Sequence, residues 1–310
     1  MTAIQFGAAS AAMQPNFWAK ELERRGFDSA WVGEHVLSVT NGNEILTQLG
    51  AMVGATEHIT IGARVIVLPL RHPLMVAKAV TQIDHMSGGR FIFGVGVGGD
   101  YPPEFENLNI PLSERGRRTN ESLEILSRLW TEDHVTYEGK YYQVRDLTLM
   151  PKPLQQPHPP IWMGGRAPEA VDRAAKYADG WFPNLNTVEG LKERVANIKQ
   201  IAADKYGRDL SNLQIGVVTG VTVAKDHATA LAEAGARGGP VGTRASTDWY
   251  AMAERYNALG NAQDIIEHLE KFIGAGATHF VFNMSSSGER LQHDLGVLAE
   301  DVLPYFRSKA

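Results

Sequence analysis

Eight short apolar runs punctuate the chain, at residues 4–9, 30–33, 59–68, 91–97, 161–164, 180–183, 215–223 and 280–283. Each has the length of a strand, and the stretches between most of them place apolar residues at helical spacing. Leu191, Val195, Ile198 and Ile201 form one such stripe, and Ile265, Ile266, Leu269, Phe272 and Ile273 form another. Runs such as Val65-Ile66-Val67-Leu68 are apolar at successive positions, as expected when helices cover one face of a strand and a packed interior covers the other. Alternation of this kind predicts a parallel sheet, and its repetition favours an α/β fold closed as a single (β/α)8 TIM barrel over an open sheet.

Local signals sharpen the element boundaries. Asn261 followed three residues later by Asp264 predicts a variant capping box. Arg25-Gly26-Phe27-Asp28, Tyr177-Ala178-Asp179-Gly180 and Gly274-Ala275-Gly276-Ala277 each read as a helix closed by glycine that leads into a strand. Two stretches interrupt the alternation. Residues 134–160 hold Val135-Thr136-Tyr137-Glu138-Gly139-Lys140-Tyr141-Tyr142, which predicts a hairpin, and then five prolines. Residues 226–260 hold Gly235, Gly238, Gly239, Pro240 and Gly242. Both are counted as following strands, which would hang them over the face carrying the C-terminal strand ends, where a barrel of this class keeps its chemistry. Trp249, Tyr250 and Tyr256 in the second insertion either meet an apolar substrate or pack the insertion down.

Composition narrows the function classes. At 310 residues, 44% hydrophobic and 21% charged, the chain suits one large domain spanning 1–310. A formal charge of -5 gives no basic surplus for a phosphate backbone, so nucleic acid is not an expected partner. The absence of cysteine excludes disulfides, zinc–thiolate and iron–sulfur sites and a cysteine nucleophile. No basic region precedes an apolar run in residues 1–10, and no segment holds about 18 uninterrupted apolar residues, so the expectation is a cytoplasmic protein without a membrane partner. His58, His72, His85 and His279 show no ligand spacing, and no metal is expected.

Gly94-Val95-Gly96-Val97-Gly98-Gly99 matches GxGxxG, but no helix opens within it and it lies on the fourth strand rather than in a first βαβ unit. Its glycines either fill a narrow barrel interior or let a flat ring approach the backbone. Ile161-Trp162-Met163-Gly164-Gly165-Arg166-Ala167-Pro168 reads as strand, glycine pair and proline at the first helical position. That arrangement builds either a phosphate site, with Arg166 as an added donor, or a plain tight turn. Glu34 and His35 end the second strand; only one faces the mouth, and His35 is the acid–base candidate beside a more structural Glu34. Glu114-Arg115-Gly116-Arg117-Arg118 reads as a solvated helix start, with one arginine as an alternative partner for an anionic cofactor tail.

Taken together, Arg25-Gly26-Phe27-Asp28-Ser29-Ala30-Trp31-Val32, Pro69-Leu70-Arg71-His72-Pro73-Leu74, Ser87-Gly88-Gly89-Arg90, Gly94-Val95-Gly96, Glu114-Arg115-Gly116-Arg117-Arg118-Thr119 and Met163-Gly164-Gly165 with Asp179-Gly180-Trp181-Phe182-Pro183 resemble the bacterial luciferase-like monooxygenase superfamily, and its branch using the deazaflavin coenzyme F420. The resemblance spans nearly the whole chain. It implies a (β/α)8 barrel, often a homodimer, with the cofactor ring in the barrel mouth and its phosphate tail near Gly164, Gly165 and Arg166. It also implies a non-prolyl cis peptide at Arg64-Val65 beneath the ring, although family members often carry a small residue where this chain has Arg64. Gly98 and Gly99 are implied to support the ring and His35 to lie beside it. A glutamate that some sugar-phosphate dehydrogenases of the branch place after the fourth-strand glycines is replaced by Gly99-Asp100, with Asp100 a partial substitute. The activity implied is hydride transfer between F420 and a small organic substrate. The alternatives are an FMN-dependent monooxygenase, fed reduced flavin by a separate reductase, and a non-catalytic flavin-binding barrel.

Overall fold

The computed structural model describes residues 3–10, 14–37, 44–238 and 247–309. Twelve strands are present among them. They are β1 (Gln5–Ser10), β2 (Ser29–Val32), β3 (Thr60–Ala63), β4 (Ile66–Val67), β5 (Phe91–Gly96), β6 (Val135–Glu138), β7 (Gln143–Leu147), β8 (Ile161–Met163), β9 (Gly180–Trp181), β10 (Gln214–Val223), β11 (Ala258–Gly260) and β12 (His279–Met284). Parallel pairing runs β1-β2-β3-β5-β8-β9-β10-β12 and returns to β1, which closes an eight-stranded barrel. Every apolar run identified in the sequence supplies one barrel strand. The long third run is divided into β3 and β4 by the peptide Arg64-Val65, which is cis.

Surrounding helices include α1 (Pro15–Arg24), α2 (Ile45–Gly54), α3 (Pro73–Ser87), α4 (Pro103–Asn107), α5 (Arg115–Thr131), α6 (Pro168–Tyr177), α7 (Val188–Tyr206), α8 (His227–Arg237), α9 (Trp249–Tyr256) and α10 (Ala262–Ile273). The capping box forms as expected at α10, with Asn261 and Asp264 exchanging side-chain and backbone bonds. No described helix is long and apolar enough to cross a membrane.

Strand alternation decides what fills the barrel. Trp31, Trp162 and Phe182 point inward with ring centroids 5.4 to 5.5 Å apart, and all three are buried. Their bulk fits because the neighbouring strands present glycine at the paired positions. A Cβ at Gly62 would stand 2.3 Å from Trp31, and one at Gly180 2.5 Å from Trp162. Gly180 is therefore an interior strand residue rather than the cap of α6, which ends in extended backbone at Ala178. Below the aromatic layer, His279 packs edge-on to both tryptophans, and its Nε2 lies 2.7 Å from Ser29 Oγ, which accepts from Trp31 Nε1 at 2.8 Å. Burial pulls the His279 pKa down to about 3, so the imidazole is neutral.

The two insertions lie differently from each other. The hairpin β6–β7 forms, but residues 134–160 join α5 to β8, so both ends are anchored where strands begin rather than where they end. The reason is that α5 has already carried the chain back down the barrel wall. The hairpin turn climbs back along that helix, where Glu121 accepts from the N–H groups of Lys140, Tyr141 and Tyr142. The second insertion follows β10 as expected, adding α8, α9 and β11, which pairs with the C-terminal end of β10. Tyr250 packs against Gly235 within it, so this ring fastens α9 to α8. Gly239, Pro240 and Gly242 lie outside the described residues.

Candidate active site

Counting inward positions up each strand leads to the barrel mouth. On β12 they are His279, Val281 and then Asn283, with Val281 in the aromatic cluster and Asn283 exposed above it. By the same parity the top of the interior is formed by Gly33, Arg64, Gly96, Gly164, Asn184 and Gly220. Four of these six are glycine, and the space beside them is taken at Gly96 by Val65 and at Gly220 by Asn257, while Gly164 stays open.

Arg64 crosses the top of the interior. From the third strand position its Nη1 donates to Asn184 Oδ1 at 3.4 Å, beyond the sixth, and its Nη2 to Asn283 Oδ1 at 3.1 Å, on the eighth. Its Nε is buried without a partner, and no carboxylate among the described residues lies within ion-pair distance. Burial lowers its pKa to about 10, which leaves the guanidinium charged at neutral pH. Asn184 and Asn283 had no motif to mark them in the sequence.

On the fourth-strand side the valine side chains of β4 and its lead-in fill the space that the glycines leave. A Cβ at Gly96 would stand 2.3 Å from Val65 Cγ2, and one at Gly98 2.5 Å from Val67 Cγ1. Gly98 and Gly99 both take positive φ, 63° and 114°, which carries the chain away from β5 without side chains. Arg115 lies beside them, its Nε buried and unpartnered and 3.0 Å from where a Gly99 Cβ would be. All three arginines of that run have partners, Arg115 Nη1 donating to Leu112 O at 2.8 Å, Arg117 to Tyr141 and Arg118 to Glu114. Asp100 is exposed at the rim.

At the head of α6 the N–H groups of Gly165, Arg166 and Ala167 have no acceptor among the described residues, and Ala167 takes an extended cap conformation. Arg166 is exposed and donates to Leu185 O at 2.8 Å. Free donors at a helix start with a guanidinium nearby form an arrangement suited to an anion.

Glu34 and His35 divide as alternation requires. Glu34 shares parity with the outward-facing positions of β2 and is buried, accepting from Val67 N–H at 2.6 Å and from both Arg71 Nη atoms at 2.7 Å. Burial pushes its carboxyl above the ordinary range, opposed by Arg71 and the Val67 N–H. With both oxygens occupied, Glu34 positions the β4 backbone and is not free for proton transfer. His35 shares parity with Trp31, and its side chain is 51% exposed. Its Nδ1 stands 3.8 Å from Oε2 of Glu104, a buried acid that also accepts from Leu37 N–H at 3.2 Å. The sequence reading missed Glu104; its only signal was an acid in the first turn after Pro102-Pro103.

A family description for luciferase-like monooxygenases matches residues 16–279. The chain belongs to that family. A dimethylsulfone monooxygenase of Pseudomonas putida, named as FMNH2-dependent, is 36% identical over 191 residues, which are 60% of this chain and 52% of that protein. The chain thus matches only about half of this relative's length. An F420-dependent glucose-6-phosphate dehydrogenase of Microbacterium testaceum is 27% identical over 99% of this chain and 98% of its own. Among solved structures, the monooxygenase RslO1 from Streptomyces bottropensis superposes with a TM-score of 0.84 at 22% identity, covering 98% of this chain and 100% of its own. An F420-dependent secondary alcohol dehydrogenase, in complex with an F420-acetone adduct, reaches 0.83 at 22% identity, covering 98% and 99%. These two support the shared fold, and the named relatives of the family are oxidoreductases.

Proposed function

We propose that this family member is an F420-dependent oxidoreductase that moves a hydride between the deazaflavin and a small organic substrate. One observation carries the reading: at the barrel mouth the N–H groups of Gly165, Arg166 and Ala167 at the head of α6 lack an acceptor among the described residues, beside Gly164, where even a Cβ would meet nothing closer than 3.5 Å. Open backbone at Gly164 suits a planar ring, and the donors suit its phosphate tail. Relatives matched along nearly their full length and named as F420-dependent support this choice of cofactor.

When bound, the cofactor supplies hydride transfer at its central ring. The chain's residues do the rest. The Arg64-Val65 peptide, Gly96, Gly98 and Gly99 support the ring, with Asp100 at the rim. Gly164, Gly165, Arg166 and Arg115 hold the phosphate. His35 holds or moves a proton at an imidazole nitrogen, oriented by Glu104, while Glu34 and Arg71 keep β4 in place below. A second reading, a monooxygenase using reduced FMN from a separate reductase, is favoured by the higher identity of the Pseudomonas putida relative.

Trp31 and Trp162 lie directly under the mouth, so their fluorescence reports on occupancy. Titration of cofactor-free protein with F420 and FMN side by side tests the proposal. Tighter saturable binding of F420 is expected, preference for FMN replaces it with the second reading, and binding of neither removes the assigned pocket.

A further inference from the structure

A guanidinium offers five N–H donors, and the two acceptors that Arg64 reaches are neutral amide oxygens. Leaving such a charge partly dehydrated without a counter-charge is costly, and proteins ordinarily pair it. Among the described residues no acid pairs with it, and Glu34 of the neighbouring second strand is taken by Arg71 and Val67. The two hydrogen bonds tie three strand positions together at the top of the barrel, yet neutral amides would do the same without a buried charge. What remains is a positive, fork-shaped donor, largely buried and fixed from two sides by amides, at the top of the barrel interior among glycines and the two asparagines.

We propose that Arg64, held by Asn184 and Asn283, is the anchor for a negatively charged substrate, a small organic acid whose carboxylate or sulfonate accepts from the guanidinium. The inference rests on the mouth being the substrate pocket and adds the substrate's chemical class. Planar two-point acceptance from arginine gives both strength and orientation, which would fix the reacting carbon of the substrate relative to the cofactor ring. The two amides matter as much as the charge: they set the guanidinium plane without neutralising it, which a carboxylate in either place would do.

The test uses the cofactor-free full chain, with tryptophan fluorescence following acetate and methanesulfonate against their uncharged counterparts acetamide and methanesulfonamide. Saturable binding of the anions is expected, with the amides at least about tenfold weaker. Arg64→Met should abolish the anion preference and Arg64→Lys should retain part of it. Asn283→Asp guards against a misfolded Arg64→Met, since it keeps the arginine but gives it an internal counter-charge, and it should also abolish anion binding. Equal binding of anions and amides, or an unchanged preference in both Arg64→Met and Asn283→Asp, overturns the proposal. Loss of F420 and FMN binding in Arg64→Met assigns the charge to the cofactor and also overturns it. Anion selectivity in a wild-type protein that binds neither cofactor upholds the anion site while removing the cofactor reading.

Discussion

His279 makes the barrel interior sensitive to acid, and the size of the effect follows from its surroundings. The imidazole is held between Trp31, Trp162 and Ser29, where burial lowers its pKa from an ordinary 6.5 to about 3. A base whose folded pKa is depressed stays neutral in the folded protein while the unfolded chain takes up a proton. Its contribution is therefore fully present above pH 6.5 and is lost as pH falls towards 3, at about 1.4 kcal/mol per unit. Between pH 7.5 and pH 5.0 the loss is about 2 kcal/mol, and the figure hardly changes as long as the folded pKa stays below about 4. Urea denaturation at those two pH values, on wild type and on His279→Gln, isolates the effect. The glutamine keeps a polar partner for Ser29 but cannot titrate. His268, also buried with a pKa lowered to about 4, titrates in both proteins and cancels in the difference. The stability gap between the two proteins should shrink by about 2 kcal/mol on going to pH 5.0. A gap that is the same at both pH values would refute the argument that His279 is buried neutral.

Two further predictions concern the mouth. Arg71→Met should destabilise the fold by about 3–5 kcal/mol, measured by denaturant midpoint, because it leaves the buried Glu34 carboxylate without its bidentate partner; a cost under about 1 kcal/mol would mean that Val67 and water suffice. His35→Ala should lower turnover of the loaded enzyme by about 100-fold or more while leaving the cofactor dissociation constant within about twofold, since the side chain is half exposed and supports no backbone group. Unchanged turnover in that variant would take the proton-handling role away from His35.

The barrel was legible because its signals are local. Each strand is a short apolar run, several of them ended by glycine or proline, many helices carry an apolar stripe, and the repeated alternation favours a barrel over an open sheet. The alternation of neighbours on a strand also sets His35 and Glu34 on opposite faces from the sequence alone. The glycine pair ahead of Pro168 marked a strand-to-helix turn, and its N–H groups are open because Ala167 at the cap has no side-chain acceptor.

What only the tertiary structure decided involves residues far apart in the chain. Gly180 looked like a helix cap, yet it is an interior residue whose missing Cβ makes room for Trp162 of the adjacent strand, and no local pattern states which residues strand pairing sets side by side. The hairpin's place depended on which end of the barrel α5 returns to. Arg64 meets its amides across 120 and 219 residues, and His35 faces Glu104 across 69. Single polar residues of this kind carry no periodicity and no spacing rule, so their chemistry arises only when closure of the sheet brings the third strand position opposite the sixth and the eighth.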